Sequence, residues 1–351
     1  MINILVTGGA GFIGSHTCLS LLQNGYEVFV IDSLINGYRK SLVRVDEIYK
    51  SNKKSNNNLH FICADLRDLK SLSIIFKKFK SQDIHFQGVI HFAGLKSVED
   101  SMKNPTQYWE NNVFGTLNLL KVLDLNKCKS FIFSSSATVY GLNHDSPISE
   151  DCYADPINPY GDTKLAVEKI LRSVYESKNR SINIANLRYF NPIGAHDSFL
   201  IGENPKGIPN NLFPFICQVA SKKRERLNIF GNDYPTRDGT CIRDYIHVMD
   251  LSEGHIRTLN YLLEKDSCFF TINLGTGKGT SVLELKNIFE EVNKVSINYS
   301  FLERRNGDVA CMFADVAKAR ELIGWHAEKD VYDMCKDGWN WQVNNPNGYL
   351  S

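Results

Sequence analysis

The sequence lacks paired cysteine motifs, and its thiols predict neither a disulfide framework nor a metal site. Nine cysteines are scattered singly from Cys18 to Cys335 along 351 residues. None forms a CxxC motif, and none lies at metal-ligand spacing from a histidine. An odd number of isolated thiols is typical of a reducing compartment. We therefore expect no bound metal ion and a cytosolic protein.

The sequence also lacks an excess of either charge and a long apolar run. Lysine and arginine number 40 against 39 aspartates and glutamates, so the formal net charge is +1. This balance gives no electrostatic footprint for nucleic acid or an anionic membrane. No stretch approaches the roughly 20 apolar residues that span a bilayer, and the start MINILVTGG has no basic or apolar leader. These absences argue against nucleic-acid and membrane partners and favour a small-molecule partner.

What the sequence does contain is an alternation of short apolar runs and helix-period segments, which predicts an α/β fold with a doubly wound parallel sheet. The predicted strands are rich in Ile, Val and Phe, as strands buried on both faces should be. They lie at 2–7, 26–32, 59–65, 88–94, 129–136 and 182–190. Helices are predicted at 12–25, 68–80, 105–126 and 160–178. The polar segment KSNKKSNNN, at 50–58, predicts a solvated loop.

A glycine-rich turn, GGAGFIG, follows the first predicted strand and opens the first predicted helix. Gly9, Gly11 and Gly14 match GxGxxG, and Gly8, Gly11 and Gly14 match the related GxxGxxG. Such a turn needs a tight bend and close approach of the backbone to a pyrophosphate. The positive end of the helix then faces the phosphates. The pattern therefore predicts a dinucleotide site.

Asp32 supplies a second, independent feature of that site. It ends the second predicted strand, 18 residues after Gly14, where a carboxylate can accept hydrogen bonds from a ribose diol. No arginine follows immediately to favour a 2′-phosphate. Together the glycine turn and Asp32 predict dinucleotide binding, with NAD preferred to NADP.

The composition of the chain changes after about residue 191, where the segment NPIGAHDSFLIGENPKGIPNNLFP is rich in Gly, Pro and Asn. Such composition suits loops that carry binding groups. A strand and helix near 242–263 can return to the first unit. We predict an NAD-binding Rossmann domain at 1–190, with a returning segment near 240–265, and a smaller C-terminal α/β substrate-binding domain at 191–351.

Four tyrosines have a lysine four positions later, so this spacing alone does not identify a catalytic pair. The pairs are Tyr49/Lys53, Tyr160/Lys164, Tyr261/Lys265 and Tyr332/Lys336. Only Tyr160 begins a predicted helix one loop after a strand that ends in serines, KSFIFSSS. For the other three pairs we expect surface tyrosines beside solvated lysines.

Position on the sheet gives Tyr160 its chemical context. Ser136 lies at the carboxyl end of its strand, where ligand groups gather in a doubly wound sheet. Ser136 can hydrogen-bond a substrate hydroxyl that Tyr160 deprotonates. Lys164 lies one helical turn from Tyr160 on the same face, and its charge would lower the pKa of the phenol from about 10 towards the working range. We predict these three residues to be catalytic.

Longer stretches extend these motifs over nearly the whole chain. They are ILVTGGAGFIGSHT, HFAGLKSV, NNVFGTLNLL, FIFSSSATVYG, LRYFNPIGAH, GIPNNLFP, IFGNDYPTRDGT, RDYIHVMDLSEGH and ERRNGDVA. In order and spacing they resemble the extended short-chain dehydrogenase/reductase superfamily and, within it, the UDP-galactose (UDP-glucose) 4-epimerase family. The resemblance implies an isomerase of galactose metabolism (the Leloir pathway) that interconverts UDP-glucose and UDP-galactose through a 4-keto sugar. It also implies a tightly bound NAD regenerated each turnover, and a homodimer formed by the helices near 105–126 and 160–178.

The resemblance also assigns residues to both ligands. To NAD it assigns Gly8, Gly11, Phe12, Ile13, Gly14, Asp32, Asn36, Asp65, Leu66, Phe92, Ala93, Gly94, Lys96, Asn111, Lys164 and Tyr189. To the UDP-sugar it assigns Lys96, Asn191, Asn211, Leu212, Asn228, Phe230, Arg243, Tyr245, Arg305, Asp308 and Met312, together with Ser136 and Tyr160. The residue types fit these roles, since arginine forks suit a diphosphate, a phenyl ring suits uracil, and amides suit phosphate or sugar.

The two residues directly before VYG help to distinguish other functions of proteins with the same fold. By resemblance, sugar-nucleotide 4,6-dehydratases have Asp-Glu at these two positions, and UDP-glucuronate decarboxylases have Ser-Glu. Ala137 and Thr138 occupy these places, which counts against an extra acid or base. A 4-epimerase for UDP-pentoses or UDP-uronates stays open. A non-enzymatic NAD-sensing protein is the alternative from another class, and it would not need Ser136, Tyr160 and Lys164 together.

The acceptance of N-acetylated UDP-hexosamines (UDP-GlcNAc and UDP-GalNAc) stays open. In GDVACMFAD, Met312 falls where the family has either a bulky tyrosine or a smaller residue beside the sugar. A small residue leaves room for a 2-acetamido group, and a tyrosine excludes it. Methionine is long but flexible, and it can equally fill a gap in the core.

Overall fold

A computed structural model describes every residue except 53–57, 125, 127, 143, 178–181, 210, 306 and 351. The strands are β1 (Asn3–Thr7), β2 (Glu27–Asp32), β3 (Leu59–Cys63), β4 (Gly88–His91), β5 (Ser130–Ser136), β6 (Asn183–Tyr189), β7 (Asn191–Ile193), β8 (Leu227–Phe230), β9 (Ile242–His247), β10 (Phe269–Leu274), β11 (Gly279–Ser281), β12 (Tyr299–Leu302) and β13 (Cys311–Met312). The α-helices are α1 (Phe12–Gln23), α2 (Arg39–Asn52), α3 (Leu69–Ser81), α4 (Val98–Lys103), α5 (Pro105–Tyr108), α6 (Gly115–Asp124), α7 (Pro159–Glu176), α8 (Leu212–Ala220), α9 (Val248–Leu263), α10 (Val282–Asn293), α11 (Ala317–Ile323) and α12 (Val331–Asn344).

Seven parallel strands form the main sheet of the described chain, in the order β3-β2-β1-β4-β5-β6-β10. The chain runs outward from β1 to β3, then returns to β4 and continues to the opposite edge. The order therefore reverses between β1 and β4, and a doubly wound sheet binds ligands at the carboxyl ends of the strands beside such a reversal. The predicted fold class is confirmed.

The strands of this sheet are buried on both faces, as their composition predicts. In β1, Ile4 and Val6 pack in one apolar cluster with α1 and α9. Leu5, between them, packs in a second cluster on the opposite face, with side chains from α3, α6 and α7. Because successive side chains of a strand alternate, one continuous apolar run supplies the core on both sides of the sheet.

A smaller unit is built around β9, which pairs with β7 and β13 in parallel and with β11 in antiparallel orientation. A second small sheet pairs β8 with β12. The core of this unit contains Phe213 and Ile216 of α8, Leu285 and Phe289 of α10, and Met334 of α12. It is the smaller C-terminal α/β unit that the sequence predicts.

The chain crosses between the two units more than once. β9 belongs to the small sheet, but the helix that follows it, α9, packs beside α1. The next strand, β10, pairs with β6 at the edge of the main sheet. Trp325, after α11, also joins the core around α1. The return to the first unit therefore extends beyond the predicted segment near 240–265, and the division at 190/191 stays a prediction.

The predicted strands and helices of the first half agree with the structure to within a few residues at each end. Most of the polar segment 50–58, predicted as a solvated loop, lies outside the described residues. The start of the segment is helical, because α2 ends at Asn52. None of the described helices is both long and apolar enough to cross a membrane.

Candidate active site

The glycine turn joins β1 to α1 at the reversal of the strand order. Gly8 has a φ of +74°, and a Cβ there would lie 2.6 Å from the backbone nitrogen of Ala93. A Cβ on Gly14 would lie 2.3 Å from the carbonyl oxygen of Gly8. Gly11 is the N-cap of α1, and its position carries no side-chain cap. The turn is thus packed against β4, while the start of α1 is left for an anion such as a pyrophosphate.

Asp32 ends β2 directly beside this turn. One carboxylate oxygen accepts the Ala10 N–H at 2.9 Å, and the other accepts the Leu34 N–H at 2.7 Å. Burial raises the pKa of Asp32, and these two N–H groups oppose the rise. The carboxylate is therefore fixed beside the glycine turn, as binding of a ribose diol requires.

Two further predicted NAD residues, Asp65 and Leu66, follow β3. Arg67 binds the Asp65 carboxylate as a fork, with Nη2 to Oδ2 at 2.7 Å and Nε to both oxygens at 3.1 Å. The same arginine is the main cause of the lowered pKa of Asp65. Leu66 is buried in the core beneath it. Both predicted residues thus lie at the same edge of the sheet as Asp32.

The loop after β4 carries Phe92 to Lys96 and is held by Asn112. The side-chain oxygen of Asn112 accepts the Leu95 N–H at 2.7 Å, and its nitrogen donates to the Leu95 carbonyl at 3.1 Å. Asn112 lies in a π-helical turn, Trp109–Phe114, inside the predicted helix 105–126. The predicted NAD residue Asn111 is its partly buried neighbour, and its amide donates to the Gln107 carbonyl at 2.8 Å. Sequence reasoning identified one asparagine of the pair and missed the one that shapes the loop.

Ser136, Tyr160 and Lys164 meet where β5 ends and α7 begins. The Lys164 ammonium donates to the Ser134 carbonyl at 2.6 Å and lies 5.8 Å from the centroid of the Tyr160 ring. The Ser136 hydroxyl interacts with the Tyr160 phenol and lowers its pKa. It also accepts the Thr138 N–H at 3.2 Å. The structure therefore brings the three predicted catalytic residues together.

The electrostatics of this group are dominated by burial. Burial raises the pKa of Tyr160 to about 12, against the opposing effect of Ser136. Burial also lowers the pKa of Lys164 to about 8, against the opposing charge of Glu168. We expected Lys164 to lower the phenol pKa, but in this structure the pKa is raised by burial, and Ser136 rather than Lys164 is the group that opposes the rise. Both groups are pushed towards their neutral forms.

The competing tyrosine–lysine pairs lie elsewhere. Tyr261 and Lys265 are at the end of α9, with the ammonium 4.6 Å from the ring centroid. Tyr332 is exposed on α12. Tyr49 is buried in the core, so the expectation of a surface tyrosine was wrong there; Lys53 lies outside the described residues. None of these tyrosines lies at the start of a helix that follows a strand of the main sheet.

Tyr189 closes the site from β6. Its hydroxyl lies 2.5 Å from Nε2 of His255 on α9, and the Nδ1 of that histidine lies 2.8 Å from the Leu251 carbonyl. Because Nδ1 donates to a carbonyl, Nε2 is the acceptor for the phenol. Burial lowers the pKa of His255 to about 4. Sequence reasoning missed His255, since its partner lies 66 residues earlier in the chain.

Two predicted arginines of the second unit share one carboxylate. Arg305 donates to Asp308 from Nε at 3.1 Å and from Nη2 at 3.0 Å. Arg243 contacts the same carboxylate at 3.5 Å and donates to the Val309 carbonyl at 2.8 Å. The Arg305 guanidinium lies 5.6 Å from the centroid of the exposed Phe230 ring. The group offers two cations and an apolar face, as a nucleoside diphosphate requires.

The small sheet gathers further predicted residues. Asn191 of β7 is the register partner of Tyr245 on β9, and Met312 of β13 is the partner of Arg243. The Met312 side chain packs beside the cluster that contains Ala137.

The remaining predicted residues lie at the edges of these groups. The Lys96 ammonium pairs with Glu203 at 3.1 Å, and the Asn228 oxygen accepts the Ser300 hydroxyl at 3.3 Å. Leu212 begins α8. Three predicted residues show, within the described chain, no hydrogen bond to another predicted residue: Asn36 and Asn211, which are exposed, and Asn111, which is partly buried.

Comparison with known proteins agrees with this geometry. Residues 5–338 match the family model described as GDP-mannose 4,6 dehydratase. A UDP-glucose 4-epimerase of Bacillus subtilis (strain 168) is 49% identical over 348 residues, which cover 99% of each chain. This chain belongs to the UDP-glucose 4-epimerase family. The broader family model is named after a dehydratase, but this chain has Ala137 and Thr138 directly before VYG. These two residues differ from the Asp-Glu pair that the resemblance gives for sugar-nucleotide 4,6-dehydratases.

Solved structures of family members superpose over nearly the whole chain. A UDP-glucose 4-epimerase from Stenotrophomonas maltophila, with bound NAD and formylated UDP-arabinopyranose, has a TM-score of 0.92, 42% identity and 99% coverage of both chains. One from Bifidobacterium longum, in complex with NAD+ and UDP, has a TM-score of 0.91, 43% identity and 99% coverage of both chains. Each of these two relatives therefore holds NAD together with UDP or a UDP-sugar on this fold.

Proposed function

We propose that this chain is an isomerase that interconverts UDP-glucose and UDP-galactose by reversible, NAD-dependent epimerisation at C4, as in the Leloir pathway of galactose metabolism. The observation that carries the proposal is the meeting of Ser136, Tyr160 and Lys164 at the carboxyl end of a doubly wound sheet, in a chain of this family. A protein that only senses NAD would not need these three groups together.

The residues present fit NAD. The bare N-cap at Gly11 leaves the start of α1 for a pyrophosphate, and Asp32 fits a ribose diol beside it. The two homologous structures from Stenotrophomonas and Bifidobacterium bind the same cofactor. When bound, NAD supplies a hydride acceptor for C4, returns the hydride later, and adds positive charge to the site. We propose that it stays bound and is regenerated in each turnover.

The chain's own groups manage the proton of the sugar's 4-hydroxyl. The Tyr160 phenolate takes this proton as C4 is oxidised and gives it back to the 4-keto sugar on reduction. The Ser136 hydroxyl hydrogen-bonds the same sugar oxygen. Because the pKa of Tyr160 is about 12 without ligands, ionisation of the phenol requires positive charge nearby. The Lys164 ammonium is one source of that charge.

The UDP half must be held firmly while the hexose turns over in the site. Arg243 and Arg305, joined through Asp308, are the proposed diphosphate ligands, and Phe230 is the proposed uracil contact. The described hexose-side residues are neutral, which suits weaker and interchangeable contacts: Asn191, Tyr245 and Met312. Strong contacts at the nucleotide and weak ones at the sugar allow both faces of C4 to be presented in turn.

A UDP-pentose is the second candidate substrate. The Stenotrophomonas structure holds a formylated UDP-arabinopyranose, and that protein is 42% identical to this chain. Met312, beside the proposed sugar site, does not decide the acceptance of N-acetylated hexosamines by its size, because methionine adapts its shape.

We also propose a homodimer in the cytosol. Met102, Trp109 and Phe114, on the segment from α4 to α6, expose large apolar side chains, and burial against a second copy would remove them from water. All nine cysteines are free, which suits a reducing compartment. Sedimentation equilibrium tests the dimer: a monomer at micromolar concentration would contradict it.

The decisive experiment is incubation of the purified protein with UDP-galactose, UDP-N-acetylgalactosamine and UDP-xylose, each with NAD present, followed by chromatography of the products. Conversion of UDP-galactose to UDP-glucose is expected. Conversion of UDP-xylose alone would support the second candidate. No interconversion of any of the three would overturn the proposed function.

A further inference from the structure

A buried carboxylate lies one helical turn beyond the catalytic pair. Tyr160, Lys164 and Glu168 follow at four-residue spacing on α7, so they share one face of the helix. Both Lys164 and Glu168 are only 5% exposed. No step of the proposed reaction uses Glu168, although a buried charge is costly unless it is paired.

The Glu168 carboxylate joins α7 to the two strands that end in site residues. Arg188 of β6 binds it as a fork, with Nε to Oε1 at 3.0 Å and Nη2 to Oε2 at 2.7 Å. The Ser135 hydroxyl of β5 donates to Oε1 at 2.5 Å. Ser135 and Arg188 are register partners, so their side chains leave the sheet on the same face, towards α7.

The next register pair along the same strands belongs to the active site. Ser136 is the partner of Tyr189, and each directly follows a residue bound by Glu168. Because side chains alternate along a strand, Ser135 and Arg188 face the helix, while Tyr189 reaches His255 of α9 on the other side. A displacement of α7 relative to β5 would therefore change the position of Tyr160 relative to Ser136.

The charged groups around this centre have definite neighbours. Lys164 is faced by Glu168 and Tyr160 from its own helix and by His91 of β4, whose pKa its charge lowers. Burial is the main cause of the low pKa of Lys164, and Glu168 is the group that opposes it.

On the far side, Arg188 faces Glu168, stacks 4.8 Å from the centroid of the Tyr140 ring and lies 3.5 Å from the Glu150 carbonyl. Its charge partly compensates that of Glu168, so the carboxylate acts on Lys164 as a reduced negative charge.

We propose that Glu168 is a positioning residue for the reaction: it fixes the catalytic face of α7 on β5 and β6 through Ser135 and Arg188, and its negative charge keeps Lys164 in the ammonium form. This role rests on the proposed epimerase function, because it acts through Tyr160 and Lys164. The observation that supports this inference is a buried carboxylate that accepts three hydrogen bonds, one from Ser135 and two from Arg188, four residues after Lys164.

The test compares Glu168→Gln with Glu176→Gln. Glu176 lies on the same helix but is exposed, so its variant is the matched control. Glu168→Gln removes charge with little change of shape. We expect a loss in kcat of roughly 10- to 100-fold with KM changed less than about threefold. Because removal of the negative charge lowers the pKa of Lys164, activity should also be lost at a pH about one unit lower on the alkaline side. Glu176→Gln should match the wild type.

Two further variants separate charge from geometry. Arg188→Lys keeps the charge of Glu168 and removes the fork, so kcat should fall while the alkaline limit does not move down. Glu168→Asp keeps the charge on a shorter arm, so if Glu168→Gln does not fold it still tests the geometry: kcat should fall while the alkaline limit stays where it is in the wild type. Bound NAD, measured after release from the protein, should stay near wild type in both, while the melting temperature should fall because a buried ion pair is weakened.

The proposal and the proposed function fail differently. If the wild type does not interconvert UDP-galactose and UDP-glucose, the function itself is wrong. If the wild type is active and folded Glu168→Gln keeps the wild-type kcat and pH profile, or Glu168→Asp in its place keeps the wild-type kcat, Glu168 is not a positioning residue.

Discussion

Replacement of Tyr160 by phenylalanine removes one oxygen atom from the centre of the proposed reaction. The ring keeps its contacts, including the edge-to-face packing with Tyr108 at 6.5 Å between centroids. The interaction of the phenol with Ser136 is lost, which costs about 1 kcal/mol of stability and, in a chain of 351 residues, roughly 1–2 °C in melting temperature. The variant should therefore fold and keep its NAD.

The catalytic loss should be much larger than the loss of stability. A positioned acid or base contributes roughly 10²- to 10⁴-fold to a rate, which corresponds to about 3–5 kcal/mol of barrier. Without ligands, a phenol of pKa about 12 is ionised in about one molecule in 10⁵ at pH 7. We therefore expect kcat of Tyr160→Phe to fall by at least about 100-fold, with KM for UDP-galactose changed only a few-fold.

The assay follows the conversion of UDP-galactose to UDP-glucose by chromatography at several pH values. Tyr261→Phe is the matched control, since Tyr261 has the same spacing to a lysine but lies at the end of α9. It should keep the wild-type kcat. Turnover of Tyr160→Phe within a few-fold of wild type would refute the assignment of the base.

Three further changes test the cofactor turn, the diphosphate site and the sugar site. Gly14→Ala places a Cβ against the Gly8 carbonyl, so bound NAD and melting temperature should both fall. In Gly11→Ala the new Cβ meets a contact at 3.3 Å, so this variant should lose NAD but stay folded. Full NAD content in both variants would contradict a pyrophosphate at this turn. Arg305→Lys keeps charge and loses the fork, so KM for UDP-galactose should rise about tenfold with little change in kcat, and an unchanged KM would remove Arg305 from the diphosphate site. Met312→Ala should raise, and Met312→Tyr lower, the turnover of UDP-N-acetylgalactosamine relative to UDP-galactose, and an unchanged ratio in both would place Met312 away from the sugar.

The main sheet was predictable because its strands carry their own signal. A strand such as β1, buried on both faces, must be continuously apolar whatever its neighbours are. β10 escaped prediction, since what defines it is its pairing with β6, about 85 residues earlier. The same holds for the small sheet around β9, in which β7, β11 and β13 each pair with β9 and, among the described residues, with no other strand. Their residues have no periodic pattern long enough to predict a strand.

The site shows the same division between local and long-range information. Tyr160 was identified because its place after a serine-ended strand is a property of the chain order. The contact of Arg243 with Asp308, 65 residues later, and the support of the β4 loop by Asn112 rather than Asn111 depend on tertiary packing. Sequence spacing determines which residues can meet on one helix, but burial determines their protonation.

The opposed pKa shifts of Tyr160 and Lys164 have one cause and one consequence. Burial favours the neutral phenol and the neutral amine together, so the site without ligands resists formation of the phenolate that the reaction needs. Negative charge at Glu168 favours the ammonium form of Lys164, and positive charge at Lys164 in turn favours the phenolate of Tyr160. When the phenol ionises, the three residues at four-residue spacing carry charges of alternating sign, and each charge stabilises the next. Removal of the outermost charge should then be felt at Tyr160, two helical turns away, although Glu168 never touches the sugar.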